Sequence, residues 1–256
     1  MSLVETDWLN QNLNKVKIID CSWHMPQTKR NGLEEYKNQH IPNSIFFDLD
    51  ANSKKVINLP HMLVNQSDWV QIVSKMGIKN EDQIVIYDNS DVISSCRCWF
   101  NFIYFGHNPK LVHVLNGGLK KWIKENKEVT NNATNIETSD YKSFEKKDLV
   151  KNKEQICINI EEKNFKVIDA RSKERFEGKV PEPRKGLRSG SIKNSFCIPF
   201  NLCLYEDKTF KSKEDLKLIF ETCLKNINEK DIVFSCGSGV TACVLALAYS
   251  LINDKY

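Results

Sequence analysis

Nowhere in these 256 residues are there five or six like charges in succession, a Cys-x-x-Cys pair, or an apolar run long enough to cross a bilayer. The 37 basic and 33 acidic side chains are scattered and sum to +4, which describes a solvated surface and excludes a nucleic-acid footprint. The longest apolar stretch, residues 242–252, is about half of the ~20 residues a spanning helix needs, so no membrane partner is expected. The opening Met-Ser-Leu-Val-Glu-Thr-Asp-Trp has neither the basic stretch nor the apolar run of a signal peptide, and a cytosolic location is the expectation. Nine cysteines, an odd number without a histidine-rich partner set, support neither a disulfide framework nor a zinc site. No metal or other cofactor is expected.

What the chain does contain is one unit written twice. Val16-Lys17-Ile18-Ile19-Asp20 matches Lys166-Val167-Ile168-Asp169, each a short apolar strand ending in aspartate. His40-Ile41-Pro42-Asn43-Ser44-Ile45-Phe46-Phe47 matches Ser191-Ile192-Lys193-Asn194-Ser195-Phe196-Cys197-Ile198, a turn into a strand. Ile84-Val85-Ile86-Tyr87-Asp88 matches Ile232-Val233-Phe234-Ser235-Cys236, a buried-type strand feeding a loop. Asp88 follows Asp20 by 68 positions and Cys236 follows Asp169 by 67. Three landmarks in order and in register point to duplication.

Short Val/Ile/Phe strands alternate with helical patterns such as residues 69–76 and 216–224, the signature of a parallel sheet covered by helices. The stretch 128–143, rich in Asn, Thr and Ser without apolar periodicity, separates the copies. The reading is α/β, with a first domain over residues 1–130, a linker over 131–144 and a second domain over 145–256. The halves end differently. After Asp88 the first runs on for about forty residues, through Leu111-Val112-His113-Val114-Leu115 and a helix after Gly117-Gly118, whereas only twenty residues follow Cys236. The second domain therefore lacks a counterpart of that last strand and helix, and Leu245, Leu247 and Leu251 of its final helix are expected to be exposed.

Cys236 opens the loop Cys236-Gly237-Ser238-Gly239-Val240-Thr241, between a strand and a helix. Successive backbone N–H groups of such a loop, with the positive end of the following helix, form a nest that holds an anion and favours the thiolate. Gly237 and Gly239 permit conformations closed to other residues, and Ser238 places a hydroxyl at the crown.

Together with Asp169-Ala170-Arg171-Ser172-Lys173-Glu174-Arg175-Phe176 and Pro181-Glu182-Pro183-Arg184, this loop resembles the catalytic half of the 3-mercaptopyruvate sulfurtransferases, of the tandem rhodanese family. Asp20-Cys21-Ser22-Trp23, Pro60-His61-Met62-Leu63 and Gly117-Gly118-x-x-x-Trp122 extend the resemblance over nearly the whole chain. It implies two rhodanese-like domains of which only the second keeps a nucleophile, Asp88 standing in its place in the first, which then serves as scaffold and one wall of an interdomain cleft.

The resemblance assigns catalysis to Cys236 and Ser238, and substrate binding to Arg175, Arg184, Gly237, Gly239, Val240 and Thr241. Planar guanidinium donors suit a 2-oxo carboxylate. It implies that sulfur passes from 3-mercaptopyruvate through a Cys236 persulfide to a thiol acceptor, such as a thioredoxin-like protein, or to cyanide, with release of pyruvate. His40 and His61 are the candidates for a proton relay. In the family a histidine matching His40 has an acidic partner some ten residues upstream, where this chain has Thr28-Lys29-Arg30-Asn31 and no carboxylate. Thiosulfate is the alternative donor, although Gly237 and Ser238 bring no positive charge for a dianion. A phosphatase of the related fold needs an arginine six positions after its cysteine, where this chain has Ala242. The short second domain keeps a non-catalytic sulfur carrier as the reading from another class.

Overall fold

The computed structural model describes residues 2–56, 59–184, 186–224 and 232–253. The chain divides into two compact units, Met1–Lys146 with Asp207–Thr209, and Lys147–Glu206 with Phe210–Tyr256.

In chain order the first unit holds β1 (Leu3–Val4), α1 (Thr6–Asn12), β2 (Lys17–Asp20), α2 (Gly32–Asn38), β3 (Ser44–Phe46), α3 (Gln66–Lys75), β4 (Ile84–Tyr87), α4 (Ser95–Tyr104), β5 (Val112–Leu115) and α5 (Gly118–Lys124). Its strands form one parallel sheet in the order β1-β5-β4-β2-β3. The central strands read as continuous apolar runs because both faces are covered, which is how a parallel sheet buries its ladder. On one face Ile18, Val85 and Tyr87 pack with Leu9 of α1 and with Leu119 and Trp122 of α5. Elsewhere in the unit Trp69 of α3 stacks on Phe105 with ring centroids 4.7 Å apart and meets Phe102 of α4 edge-on at 5.1 Å. The helix pattern that begins at Trp69 starts three residues earlier in space, because the Asn65 side chain accepts the Asp68 N–H and caps α3.

The second unit holds α6 (Lys153–Glu162), β6 (Lys166–Asp169), α7 (Lys173–Phe176), β7 (Phe196–Cys197), α8 (Lys213–Glu221), β8 (Ile232–Ser235) and α9 (Thr241–Asn253). Its sheet, among the described residues, is parallel in the order β7-β6-β8. A capping box between Asn152 and Gln155 starts α6.

The strand registers of the two units correspond. Asp20 pairs with Tyr87 as Asp169 pairs with Ser235, and Ile19 with Ile45 as Ile168 with Phe196. Asn43 and Asn194 both turn left-handed, at φ 65, ahead of β3 and β7, a conformation asparagine tolerates better than most residues. Asp20 Oδ1 accepts the Ser22 N–H at 2.8 Å, and Asp169 Oδ1 accepts the Arg171 N–H at 2.9 Å.

One expectation from the sequence is changed, the exposure of the α9 leucines. Leu245 and Leu247 of α9 are fully buried, and only Leu251 is partly exposed. α9 packs against α8, β8 and the short 3-10 turn Phe200–Cys203, and Phe220, Phe234 and Tyr249 form an aromatic triad with centroids 5.2 to 6.1 Å apart. The stretch 131–144 carries no helix or strand, yet it adheres to the first unit. Thr134 Oγ1 donates to Ser44 O at 2.7 Å, Ser139 Oγ donates to Ile78 O, and Tyr141 is buried against His107. Among the described residues no helix is long and apolar enough to cross a membrane.

Candidate active site

β8 ends at Ser235 and α9 begins at Thr241, so Cys236 sits at the carboxyl end of a parallel strand, where open α/β sheets place their ligands. The half-buried Cys236 Sγ accepts the Gly239 N–H at 3.1 Å. Gly239 makes that contact from φ 78, the left-handed region, where a residue with a Cβ is strained. Gly237 is closely approached by a side chain instead. It lies outside the left-handed region, but a Cβ there would meet Arg175 Nη2 at 3.3 Å. Val240 is buried, and its carbonyl accepts the Cys243 N–H at 3.1 Å, so it anchors the loop to the start of α9. Ser238 is half-buried.

Two arginines approach this loop from the segment after β6. Arg184 Nη2 donates to Gly237 O at 2.5 Å, fixing the carbonyl next to the cysteine. Arg175, in α7 and held by the Ser172 cap, lies against Gly237 while Glu182 grips it with both oxygens, Nε to Oε1 at 3.2 Å and Nη2 to Oε2 at 2.6 Å. Glu182 Oε1 also accepts from Arg171 Nη1 at 2.7 Å. Arg171 is clamped in turn by Asp169 through Nε and Nη2, the latter at 2.6 Å, and donates to Gly190 O at 2.9 Å. The structure therefore gathers Cys236, Gly237, Gly239, Arg175 and Arg184 around one loop. Lys185, next to Arg184 in the motif, lies outside the described residues.

The first unit shows what the same turn does without a thiol. Asp88, at the end of β4, is buried, its Oδ1 accepting the Ser90 N–H at 2.8 Å and its Oδ2 the Ser95 N–H at 2.9 Å. The carboxylate fills the anion seat of its own loop. Burial pushes its carboxyl above the usual range, and the Ser95 and Ser90 bonds oppose that push.

The two relay candidates differ sharply in surroundings. His40 has Nδ1 2.6 Å from Tyr36 O and Nε2 3.1 Å from Asn132 O, so both ring nitrogens are tied to backbone. His61 Nε2 is 2.9 Å from Asp50 Oδ1, and its buried Nδ1 has no hydrogen-bond partner among the described residues. Asp50 is further held by Trp23 Nε1 at 2.9 Å, and the contact with His61 keeps its carboxyl below the usual range. His61 adopts φ 58, with its carbonyl accepting from the buried Arg97. The missing acid before His40 is thus supplied to the other histidine. The signal was present in the sequence as an aspartate eleven residues before His61.

Three of the other thiols are poor competitors. Burial pushes Cys203 up to about 12 and Cys197 to about 11, and drives Cys21 well above the thiol range.

A model of the rhodanese-like domain matches residues 5–125 and again residues 132–254. The mitochondrial thiosulfate/3-mercaptopyruvate sulfurtransferase 1 of Arabidopsis thaliana is 39% identical over 269 residues, covering 96% of this chain and 70% of that one. Thiosulfate sulfurtransferase of Bos taurus is 36% identical, over 96% of this chain and 85% of its own length. Among solved structures, SseA from Escherichia coli, described as a 3-mercaptopyruvate sulfotransferase, superimposes with a TM-score of 0.88 at 28% identity, over 99% of this chain and 95% of that one.

Proposed function

Because the chain belongs to the rhodanese family of sulfur-transferring enzymes, we propose that it takes sulfur from 3-mercaptopyruvate onto Cys236 and passes it to a thiol or cyanide. The observation that carries this reading is the Cys236 sulfur facing the Gly239 N–H at the mouth of a loop flanked by Arg175 and Arg184. In the first half-reaction the Cys236 thiolate attacks the donor sulfur. A sulfur–sulfur bond forms, the donor carbon–sulfur bond breaks, and its electron pair leaves as the pyruvate enolate, which takes up a proton. Arginine donors stabilise the enolate and carboxylate as charge moves onto them, and loop N–H groups hold the persulfide. In the second, an acceptor thiolate removes the outer sulfur and returns the Cys236 thiolate.

The test is to incubate the protein with 3-mercaptopyruvate and, separately, with thiosulfate, and to record intact mass and pyruvate. A gain of one sulfur, about 32 Da, with pyruvate release from the first donor is the expected result. Folded protein that gains no mass and releases no pyruvate sinks the reading. Adduct from thiosulfate alone moves the donor to that dianion, in line with the cattle relative's name.

Of the two histidines, His61 is the better relay candidate, because Asp50 orients its ring through Nε2. His61→Gln is expected to lower kcat with 3-mercaptopyruvate by about 10²-fold. His40→Gln, which cuts two framework bonds, should lower the melting temperature while kcat stays within about twofold. Equal losses of kcat in both variants would reject this assignment.

A further inference from the structure

The residues of the Cys236 loop, Gly237 to Thr241, carry no charged side chain, so the charge that a donor meets is set by the arginines around it and by whatever neutralises them. Arg171 and Arg175 are matched by two carboxylates in a chain that runs from the sheet to the loop. Asp169, 4% exposed at the end of β6, holds Arg171 with both oxygens. Glu182, 5% exposed, spends one bond on Arg171 and both oxygens on Arg175, whose Nη2 is the atom nearest to where a Gly237 side chain would begin.

Because Asp169 already faces Arg171 along its Nε and Nη2 edge, the negative charge of Glu182 falls mainly on Arg175. The Arg175 bond in turn holds the Glu182 carboxyl below the usual range, so Glu182 is ionised throughout the neutral region.

We propose that Glu182 is a positioning and specificity residue: it fixes the Arg175 guanidinium against Gly237 and cancels its charge, so that the Cys236 site favours singly charged donors over dianions. A guanidinium held along Nε and Nη2 cannot swing away from the loop, which supplies the orientation. A matched ion pair at 2.6 Å projects a weaker field than a lone cation, which supplies the discrimination. For its natural donors the proposal rests on the sulfurtransferase reading above, but its charge component can be read without them.

The experiment uses the full chain with Glu182→Gln, which keeps the side-chain shape and an acceptor oxygen while deleting the charge, and Glu182→Asp, which restores it. Cys236 is alkylated with anionic iodoacetate and with neutral iodoacetamide, and kcat/KM is measured for thiosulfate and for 3-mercaptopyruvate. In Glu182→Gln the iodoacetate-to-iodoacetamide rate ratio should rise about tenfold, less so at high salt, and the thiosulfate-to-mercaptopyruvate ratio should rise with it. Glu182→Asp should return both ratios toward wild type. Arg175→Gln, which leaves Glu182 paired with Arg171 alone, should move the alkylation ratio the other way, and an unchanged ratio in it overturns the proposal if Glu182→Gln does not fold. Unchanged ratios, with all rates reduced together, would overturn the proposal and leave Glu182 a structural residue. Should wild type use neither donor, the proposed function fails while the alkylation ratios still judge this one.

Discussion

Cys236→Ser is expected to lose at least about 10⁴-fold in kcat/KM toward any sulfur donor and to gain no sulfur when its mass is measured, because a serine oxygen cannot hold a persulfide. Its fold should be undisturbed. Cys236 is half-buried, and a hydroxyl in its place can still accept the Gly239 N–H that now meets the sulfur at 3.1 Å. Cys157, exposed on α6, is the control, since adventitious sulfur would collect there. Intact mass followed by peptide mapping separates the cases. An adduct that persists in Cys236→Ser with pyruvate still released would move the nucleophile elsewhere.

The second large effect concerns stability. Asp20 and Asp169 close equivalent strands and bond equivalent N–H groups, but Arg171 grips Asp169 while Ser22 stands at the matching position beside Asp20. Burial without a cation pushes the Asp20 carboxyl up to about 7, against the opposing bond from Ser22. An acid whose folded value lies above its unfolded value of about 3.9 is protonated in the folded state over a window where the unfolded chain has already released the proton. Stability therefore falls as pH rises from about 4 to 7, by about 4 kcal/mol from this group at the limit. Asp20→Asn mimics the protonated form, so it should be about 1 to 2 kcal/mol more stable than wild type at pH 5 and about 4 kcal/mol more stable at pH 8. Urea midpoints at several pH values check this. A variant less stable than wild type at pH 8 would show that the carboxylate is compensated.

The duplication was legible because its markers are local. An apolar run ending in aspartate, an asparagine turn and a second apolar run are each written in a few consecutive residues, and their spacing survives in the strand register. Cys236 was legible because a cysteine and two glycines between a strand and a helix constrain the backbone almost by themselves. Glu182 was not. Its partners lie seven and eleven residues upstream across an irregular segment, and no periodicity announces a side chain that bends back to join two arginines. The burial of Leu245 and Leu247 was hidden for another reason: α9 is covered by α8 and the turn Phe200–Cys203, elements that precede it.

If Cys236 carries the sulfur as proposed, Asp88 leaves the first loop without a second carrier. Its loop is already filled by a tethered carboxylate, which neither accepts sulfur nor yields its place to a soluble anion. On that proposal, the duplicated protein is expected to titrate as a single-equivalent device. Rapid mixing with excess donor should give a pyruvate burst whose amplitude is one per chain, and cyanide should draw off one equivalent of thiocyanate from the loaded protein, however faithfully the two halves repeat each other.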